Sequence, residues 1–502
     1  MREVRINRFE TRYRLPQSLL AESQRLDHIR SLVIEEALEL ALERIALPED
    51  GELCIRRIYA PVRLRLNSPN PSLALDWSMS LSEEIERAYS SGRDSNIVFY
   101  HSRRQALMDL AIGVARGDLS RAWAWRQLGI WRAGEQAGEG EAVFELARAL
   151  CAEPEMIIPA LRVMAEAEVL HRVFMRLTAG QLKAIATSAL SQARVSDELL
   201  EPDADEASPL NTGSGLVASS RAMRDALRVL KGSRLLRLFV SSRPLAGESD
   251  ELWRAVAALA ALDFEPALLR TNAAPTVVRV IARAISSAGT EVTDVTDAQE
   301  EFDERPHGGE RGELSNSQAG PNKDQEPIES KVIDLTKRAF TRFGGLLFLL
   351  GVIEDLNLPE EIPAHPSLGL RGLPWVMRRL ALALTGAEPY DAAVLAFAGL
   401  LPGSTLDAED QDSPNEIEDE AVIALASRIV EQLRVRLERP DESADTLLEF
   451  VCHRRAQVVA EPGWVDVKFS LEEVSTEIRR AGLDLNPGYL PWLGLVVRFV
   501  YE

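Results

Sequence analysis

The residues able to do chemistry in this chain are scattered. Cys452 and His453 are adjacent, but neighbours in sequence point apart on a helix and no third group is placed to orient them, so a thiol–imidazole nucleophile is not expected there. The three cysteines, Cys54, Cys151 and Cys452, lie far apart and are odd in number, which speaks against a disulfide framework and for a reducing compartment. His28, His101, His171, His307, His365 and His453 are widely spaced and no His-Glu-x-x-His helix occurs, so no metal site is expected. A phosphate-cradling loop needs glycines ending in Gly-Lys-Ser/Thr; the chain has none, which excludes a nucleotide hydrolase of that type. Gly213-Ser214-Gly215 lacks the glycines two residues either side of the serine that a nucleophile elbow requires, and reads as linker glycine. The pairs Glu35-Glu36, Glu83-Glu84 and Glu472-Glu473 offer acid/base material, although adjacent carboxylates on a helix usually form its wet side. The expectation is a protein with no catalytic residues and no cofactor. An enzyme with an unrecognised acid/base cleft stays as the alternative.

The composition narrows the partners. At 502 residues the chain is long enough for two to four domains, given roughly 100 to 200 residues for each. Its 46% apolar and 27% charged residues are those of a globular protein, and an aromatic share of only 6% leans toward helix over sheet. A net charge of -21 repels a phosphate backbone, so nucleic acid is not an expected partner. Residues 1–14 alternate charged and apolar side chains without the apolar core of a secretory signal. The apolar run 344–353 is cut by Glu354-Asp355, short of the about 20 residues a membrane span needs. Cytoplasmic synthesis and no membrane insertion are expected.

The elements that would position any site alternate between two periodicities. Val4 and Ile6 suggest a short opening strand, and Leu26, Ile29, Val33, Ala37, Leu40 and Ile45 mark one face of a helix over 16–47. Val62, Leu64 and Leu66 alternate with Arg63 and Arg65 as a strand over 53–66 with a solvated arginine face, and a helix over 81–89 follows with Ser80 and Glu83 at capping-box spacing. Ile97-Val98-Phe99-Tyr100 reads as a strand, and Ser102 with Gln105 caps a helix carrying Leu107, Leu110, Ala111 and Val114. Trp123, Trp125 and Trp131 stand beside Arg121, Arg126 and Arg132 and read as core anchors. Short helices are predicted over 142–150, 157–167, 169–177 and 181–190. Near the end, Val465, Val467 and Phe469 alternate as a half-buried strand, Ser470 with Glu473 would cap a helix, and 495–501 reads as a closing strand paired in a sheet. The fold class expected is α+β, mainly α-helical, with small sheets near both termini and several units joined by acidic flexible linkers. The units are a strand-helix-strand-helix module over 1–95, helical regions over 96–195 and 221–286, an apolar helical core over 333–403, and a C-terminal helix and strand module over 421–502. The linkers are 196–220, 287–332 and 404–420, polar or acidic stretches that cannot bury enough apolar surface to offset chain entropy.

The densest apolar run spans 341–402. Gly344-Gly345 opens a helix that Leu358-Pro359 stops, a second helix over 373–384 ends at Gly386, and 391–401 is nearly all apolar. Phe343, Leu347, Leu350, Trp375 and Phe397 are its anchors, either closing a core or facing a partner, because the run carries more apolar surface than one helical hairpin can hide. Self-association through this run is compatible with the pattern.

Several stretches carry a resemblance. Ile55-Arg56-Arg57-Ile58 behind the opening strand and helix, Gly344-Gly345-Leu346-Leu347 with 356–358, the 371–386 helix leading into 395–401, and the pair Ala481-Gly482-Leu483-Asp484 and Pro491-Trp492-Leu493-Gly494 together resemble the tape-measure-type proteins of bacterial contractile injection systems and relatives found with such phage-tail-like particles. The resemblance implies a structural or assembly role, including tube or sheath length control, with tube, sheath or baseplate proteins as partners and incorporation into the particle. It carries over no catalytic residues. A ruler that measured by its own extension would want one long helix at about 1.5 Å per residue, whereas this chain has short helices cut by Pro and Gly. Membership of the assembly machinery is therefore the expectation, ahead of literal measurement. A soluble adaptor that loads cargo is a further alternative.

Overall fold

The computed structural model describes residues 6, 8–44, 51–91, 96–134, 136–201, 213–242, 249–297, 335–402 and 413–502, with backbone alone for 213–220 and 288–297. It is α+β and mainly α: 62% helical, with a two-stranded sheet near the N terminus and a five-stranded sheet near the C terminus. The chain divides into two units, one of residues up to Ala106 with Ser120–Ile130, the other of Leu107–Leu119 and the described residues from Trp131 onward.

In the first unit Leu26, Ile29 and Val33 of the expected stripe are buried, with Leu38 and Leu42, against Leu73, Trp77, Leu81 and Ile85, whereas Leu40 is 56% exposed and Ile45 lies outside the described residues. Those last four lie on one helix, Asn70–Ser91, which starts well before the expected 81–89 because Pro71 suits a first turn and Leu73 and Trp77 extend the stripe. Ser80 therefore stands inside the helix, its hydroxyl donating to the Asp76 carbonyl at 3.0 Å, and caps nothing. Strands β1 (Glu52–Ile55) and β2 (Ile97–Tyr100) pair antiparallel. The expected strand stops at Ile55. Val62, Leu64 and Leu66 do turn toward the core, with Arg63 and Arg65 exposed, but alternation fixes only which way side chains face, and a ladder needs a second strand. Here Arg25 holds the chain instead, donating to the carbonyls of Leu66 at 2.8 Å and Ser68 at 2.6 Å. The opening strand at Val4 falls largely outside the described residues.

The helical part of the second unit contains Glu139–Ala152, Ile157–Glu166, Leu170–Phe174, Ala179–Gln192, Gly213–Gly232, Arg234–Ser242, Asp250–Phe264 and Ala274–Asp297. Asp250–Phe264 is buried at every position from Leu252 to Leu262, since Ala255, Ala257, Ala258, Ala260 and Ala261 let neighbours approach on all sides. Of the expected linkers, 202–212, 298–332 and 404–412 lie outside the described residues. The flanks differ from expectation: Asp197–Leu200 is a 3-10 turn, Gly213-Ser214-Gly215 begins a helix, and Ala274–Asp297 runs past 286. The helix expected near 421 starts at Glu416, where Asn415 and Glu418 form a capping box.

The C-terminal sheet has β3 (Lys337–Thr341), β4 (Ala456–Glu461), β5 (Trp464–Phe469), β6 (Gly488–Leu490) and β7 (Leu495–Tyr501) in the order β3-β4-β5-β7-β6, with β5 and β7 parallel and the other pairs antiparallel. The register places Ala339, Val458, Val467 and Phe499 in one inward row. Phe348 meets that face edge-on to Phe499, ring centroids 4.8 Å apart. Gly344 and Gly345 permit the approach: a Cβ on the first would collide with Ala456 and on the second with the Val451 carbonyl, and Gly344 N–H donates to the Arg454 carbonyl at 2.8 Å. Leu358-Pro359 is not the stop it was expected to be. Asn357, left-handed at φ 57°, ends one helix, and Pro359 sits in the first turn of the next, Leu358–Ala364, where its missing N–H has no helical partner to lose. Ser470 likewise caps no helix; Ser475 caps Thr476–Arg480.

Candidate functional site

The five apolar anchors divide by depth. Leu347, Leu350, Trp375 and Phe397 are buried in the core that backs the C-terminal sheet, and Phe343 is half-buried at its margin, edge-on to His453 at 4.8 Å. The guanidinium of Arg371 lies over the Trp375 ring at 4.8 Å. A partner therefore meets none of the four deep residues without opening the fold. Trp123, Trp125 and Trp131 are buried too, in keeping with their size.

The nucleophilic and acidic groups stay apart. Cys452 is fully buried, and burial pushes its thiol up to about 12, so at neutral pH it is a protonated thiol rather than a nucleophile. Cys54 is held the same way. Glu35, Glu36, Glu83 and Glu472 are exposed on their elements, and Glu84 and Glu473 are half-buried. Among the described residues no group of three His, Cys, Asp or Glu is gathered as metal ligands, and no helix is long and apolar enough to cross a membrane.

Buried charge is used for construction. Glu265 takes the Leu373 N–H at 2.9 Å on one oxygen and Arg228 Nη2 at 2.9 Å on the other, joining the end of Asp250–Phe264 to the first turn of Leu373–Thr385. Burial pushes the Glu265 carboxyl up from its ordinary value, with Arg228 and the Leu373 N–H working against that. Asp225 sits beside the same arginine at 3.7 Å and is raised for the same first cause. Two carboxylates with raised values have the electrostatics of an acid/base pair, but Glu265 is 3% exposed and both its oxygens are occupied.

The open feature is the edge of the C-terminal sheet. On the face away from the core, Arg338 aligns with Val459, Asp466 and Arg498, and Phe340 with Gln457, Lys468 and Val500. The inner strands have settled their charges: Arg498 grips Asp466 at 2.8 and 3.0 Å, Trp464 Nε1 donates to the same carboxylate at 3.0 Å, and Lys468 pairs with Glu502. The edge strand has not. Phe340 is 81% exposed, and Lys337, Arg338 and Arg342 make no ion pair among the described residues. Among the described residues β3 pairs only with β4, so one side of its backbone carries no ladder there. Sequence reasoning passed over this strand, although Lys337-Arg338-Ala339-Phe340-Thr341 alternates and places a phenylalanine on the arginine side.

No protein-family model, curated protein or solved structure matches the chain.

Proposed function

We propose that this chain is a non-catalytic assembly component of a contractile injection particle, acting through protein contact with a tube, sheath or baseplate protein, and that the contact is strand addition at β3. The observation that carries the reading is Phe340, 81% exposed on a strand edge that, among the described residues, has no ladder partner and is flanked by cations without ion pairs. An edge strand with lysine and arginine repels a second copy of itself, a common way of blunting edges, but a large exposed aromatic works against blunting. Main-chain hydrogen bonds would supply affinity and the alternate side chains specificity. The complementary occupant is an extended acidic segment with an apolar residue opposite Phe340.

The particle setting rests on the resemblance of the sequence; the contact rests on the edge. Co-purification with tube, sheath and baseplate proteins tests both, with Phe340→Asp and Arg338→Glu as the variants. Each substitution lies on an exposed position, so the fold should be retained while capture is lost. Deletion should change particle length or yield. Normal particles together with an activity that depends on one or two carboxylates would replace this reading with an enzyme, and particles of normal length without cargo would replace it with a loading adaptor.

A further inference from the structure

In the helical part of the second unit a cleft of about 470 Å³ is lined by three arginines, Arg194, Arg254 and Arg270, with Thr271 and Asn272 beside them. None of these was singled out by sequence, since they come from the end of one helix, the middle of another and the turn after it. The first residues of the 24-residue helix Ala274–Asp297, Ala274 and Pro275, also line the cleft, which puts the positive end of its dipole at the rim. Two carboxylates, Glu198 and Glu360, share the lining with the three guanidinium groups.

The acidic neighbours use only part of that donor capacity. Arg270 directs Nε at 3.0 Å and Nη2 at 2.6 Å to a single oxygen of Glu360, while its Nη1 is buried without a hydrogen-bond acceptor among the described residues. Arg194 lies 3.9 Å from Glu354, beyond hydrogen-bonding distance, and its side chain is 68% exposed. Arg254 is anchored by Asp250 at 2.7 Å and the Glu201 carbonyl at 2.7 Å, which fixes it as part of the wall. Arg194 is in addition left-handed, φ 54°, at the residue that closes Ala179–Gln192, where glycine is the usual occupant. Glu168 and Glu438 also have a positive φ, so the conformation alone marks nothing. What distinguishes Arg194 is that it stands at the cleft.

We propose that this cleft binds a small polyanion, a molecule carrying phosphate or carboxylate groups, with Arg194 and Arg270 as its mobile and fixed cationic contacts. The volume is that of a small-molecule pocket. The net charge of -21 opposes a polyanion overall, so saturable binding must come from a local concentration of donors.

The test uses the full chain titrated with pyrophosphate and with citrate, followed by calorimetry, in low salt. At least one probe should bind saturably; pyrophosphate alone marks a phosphate ligand and citrate alone a carboxylate. Arg194→Gly should weaken that binding by about tenfold, a loss of about 1.4 kcal/mol, while the melting temperature holds or rises because glycine relieves the left-handed backbone. A purely structural arginine would not move binding and stability in opposite directions. Arg455→Ala, a surface arginine outside the lining, should leave binding unchanged. The proposal is overturned by no saturable binding of either probe, by equal binding in Arg194→Gly, or by an equal loss in Arg455→Ala.

Discussion

Glu418 accepts hydrogen bonds from Arg371 on both carboxylate oxygens, Nε to Oε1 at 2.9 Å and Nη2 to Oε2 at 3.2 Å. The same carboxylate takes the Asn415 N–H at 2.9 Å, completing the cap of Glu416–Arg436, so one side chain starts a helix and ties it to the residue that stacks on Trp375. Arg371 holds the carboxyl below its ordinary value, against the effect of burial.

That lowered value fixes the sign of a pH effect. A carboxylate whose folded pKa lies below its unfolded one gives stability that is fully present above the unfolded value and is lost as pH falls through the folded one. Glu418→Ala should cost on the order of 3 kcal/mol at neutral pH, since it removes both the two hydrogen bonds to Arg371 and the cap of Glu416–Arg436. The difference in stability between wild type and Glu418→Gln, followed by denaturant unfolding, should shrink on acidification below the ordinary glutamate range. A difference independent of pH would mean that the pair acts by shape rather than charge.

Glu265 should behave in the opposite sense. Its folded value is raised, first by burial, so in the window between the unfolded and folded values the folded state binds the extra proton and stability falls as pH rises. Glu265→Gln removes that slope: relative to it, wild type should lose stability as pH climbs through the raised value. Glu265→Ala should cost roughly 3 kcal/mol, because Arg228 loses the nearer of its two carboxylates and the buried Leu373 N–H loses its acceptor. Parallel unfolding profiles for wild type and Glu265→Gln across the acid range would contradict this.

The contrast between these two residues shows what a sequence can disclose. The alternation of Val465, Val467 and Phe469, the left-handed Gly386 and the buried face of Leu107, Leu110, Ala111 and Val114 are local patterns, and the fold keeps them. Glu265 and Leu373 are 108 positions apart, and no local period links them. The same holds for Arg194, Arg254 and Arg270, whose shared cleft depends on how helices pack. Val62, Leu64 and Leu66 mark the middle case: alternation gave their inward direction but not the missing strand partner. Ser80 and Ser470 mark another, for capping-box spacing recurs by chance wherever serine and glutamate are common. Phe340 is legible in principle, since Lys337-Arg338-Ala339-Phe340-Thr341 alternates, but five residues beside a much longer apolar run carry a weak local signal.

Trp375 separates core from contact surface within that run. It is 2% exposed, with Arg371 and Arg379 over its ring at 4.8 and 5.8 Å. Trp375→Ala should destabilise the fold by roughly 3 to 5 kcal/mol. Thermal melting measures this directly. An unchanged melting temperature with lost partner capture would move Trp375 from the core to an interface.

The glycines of the same run predict opposite responses to one substitution. At Gly345 a methyl group would meet the backbone carbonyl of Val451, and neither side can yield without moving the Ala444–Cys452 helix away from the 3-10 turn Gly344–Phe348. Gly345→Ala should therefore cost about 3 kcal/mol or more, at the upper end for overpacking, because the collision is with backbone rather than a side chain that can rotate. Gly351 lies only six positions later, inside Leu349–Asp355, and nothing stands within 4 Å of where its Cβ would be. Gly351→Ala should stabilise by up to about 1 kcal/mol through the lower backbone entropy of alanine in the unfolded chain and its better helix propensity. Urea unfolding of the two variants beside wild type gives both signs in one experiment. Equal and small effects at the two positions would mean that the close approach of residues 344–345 to 451–456, on which the docking of helices against the C-terminal sheet depends, is not made.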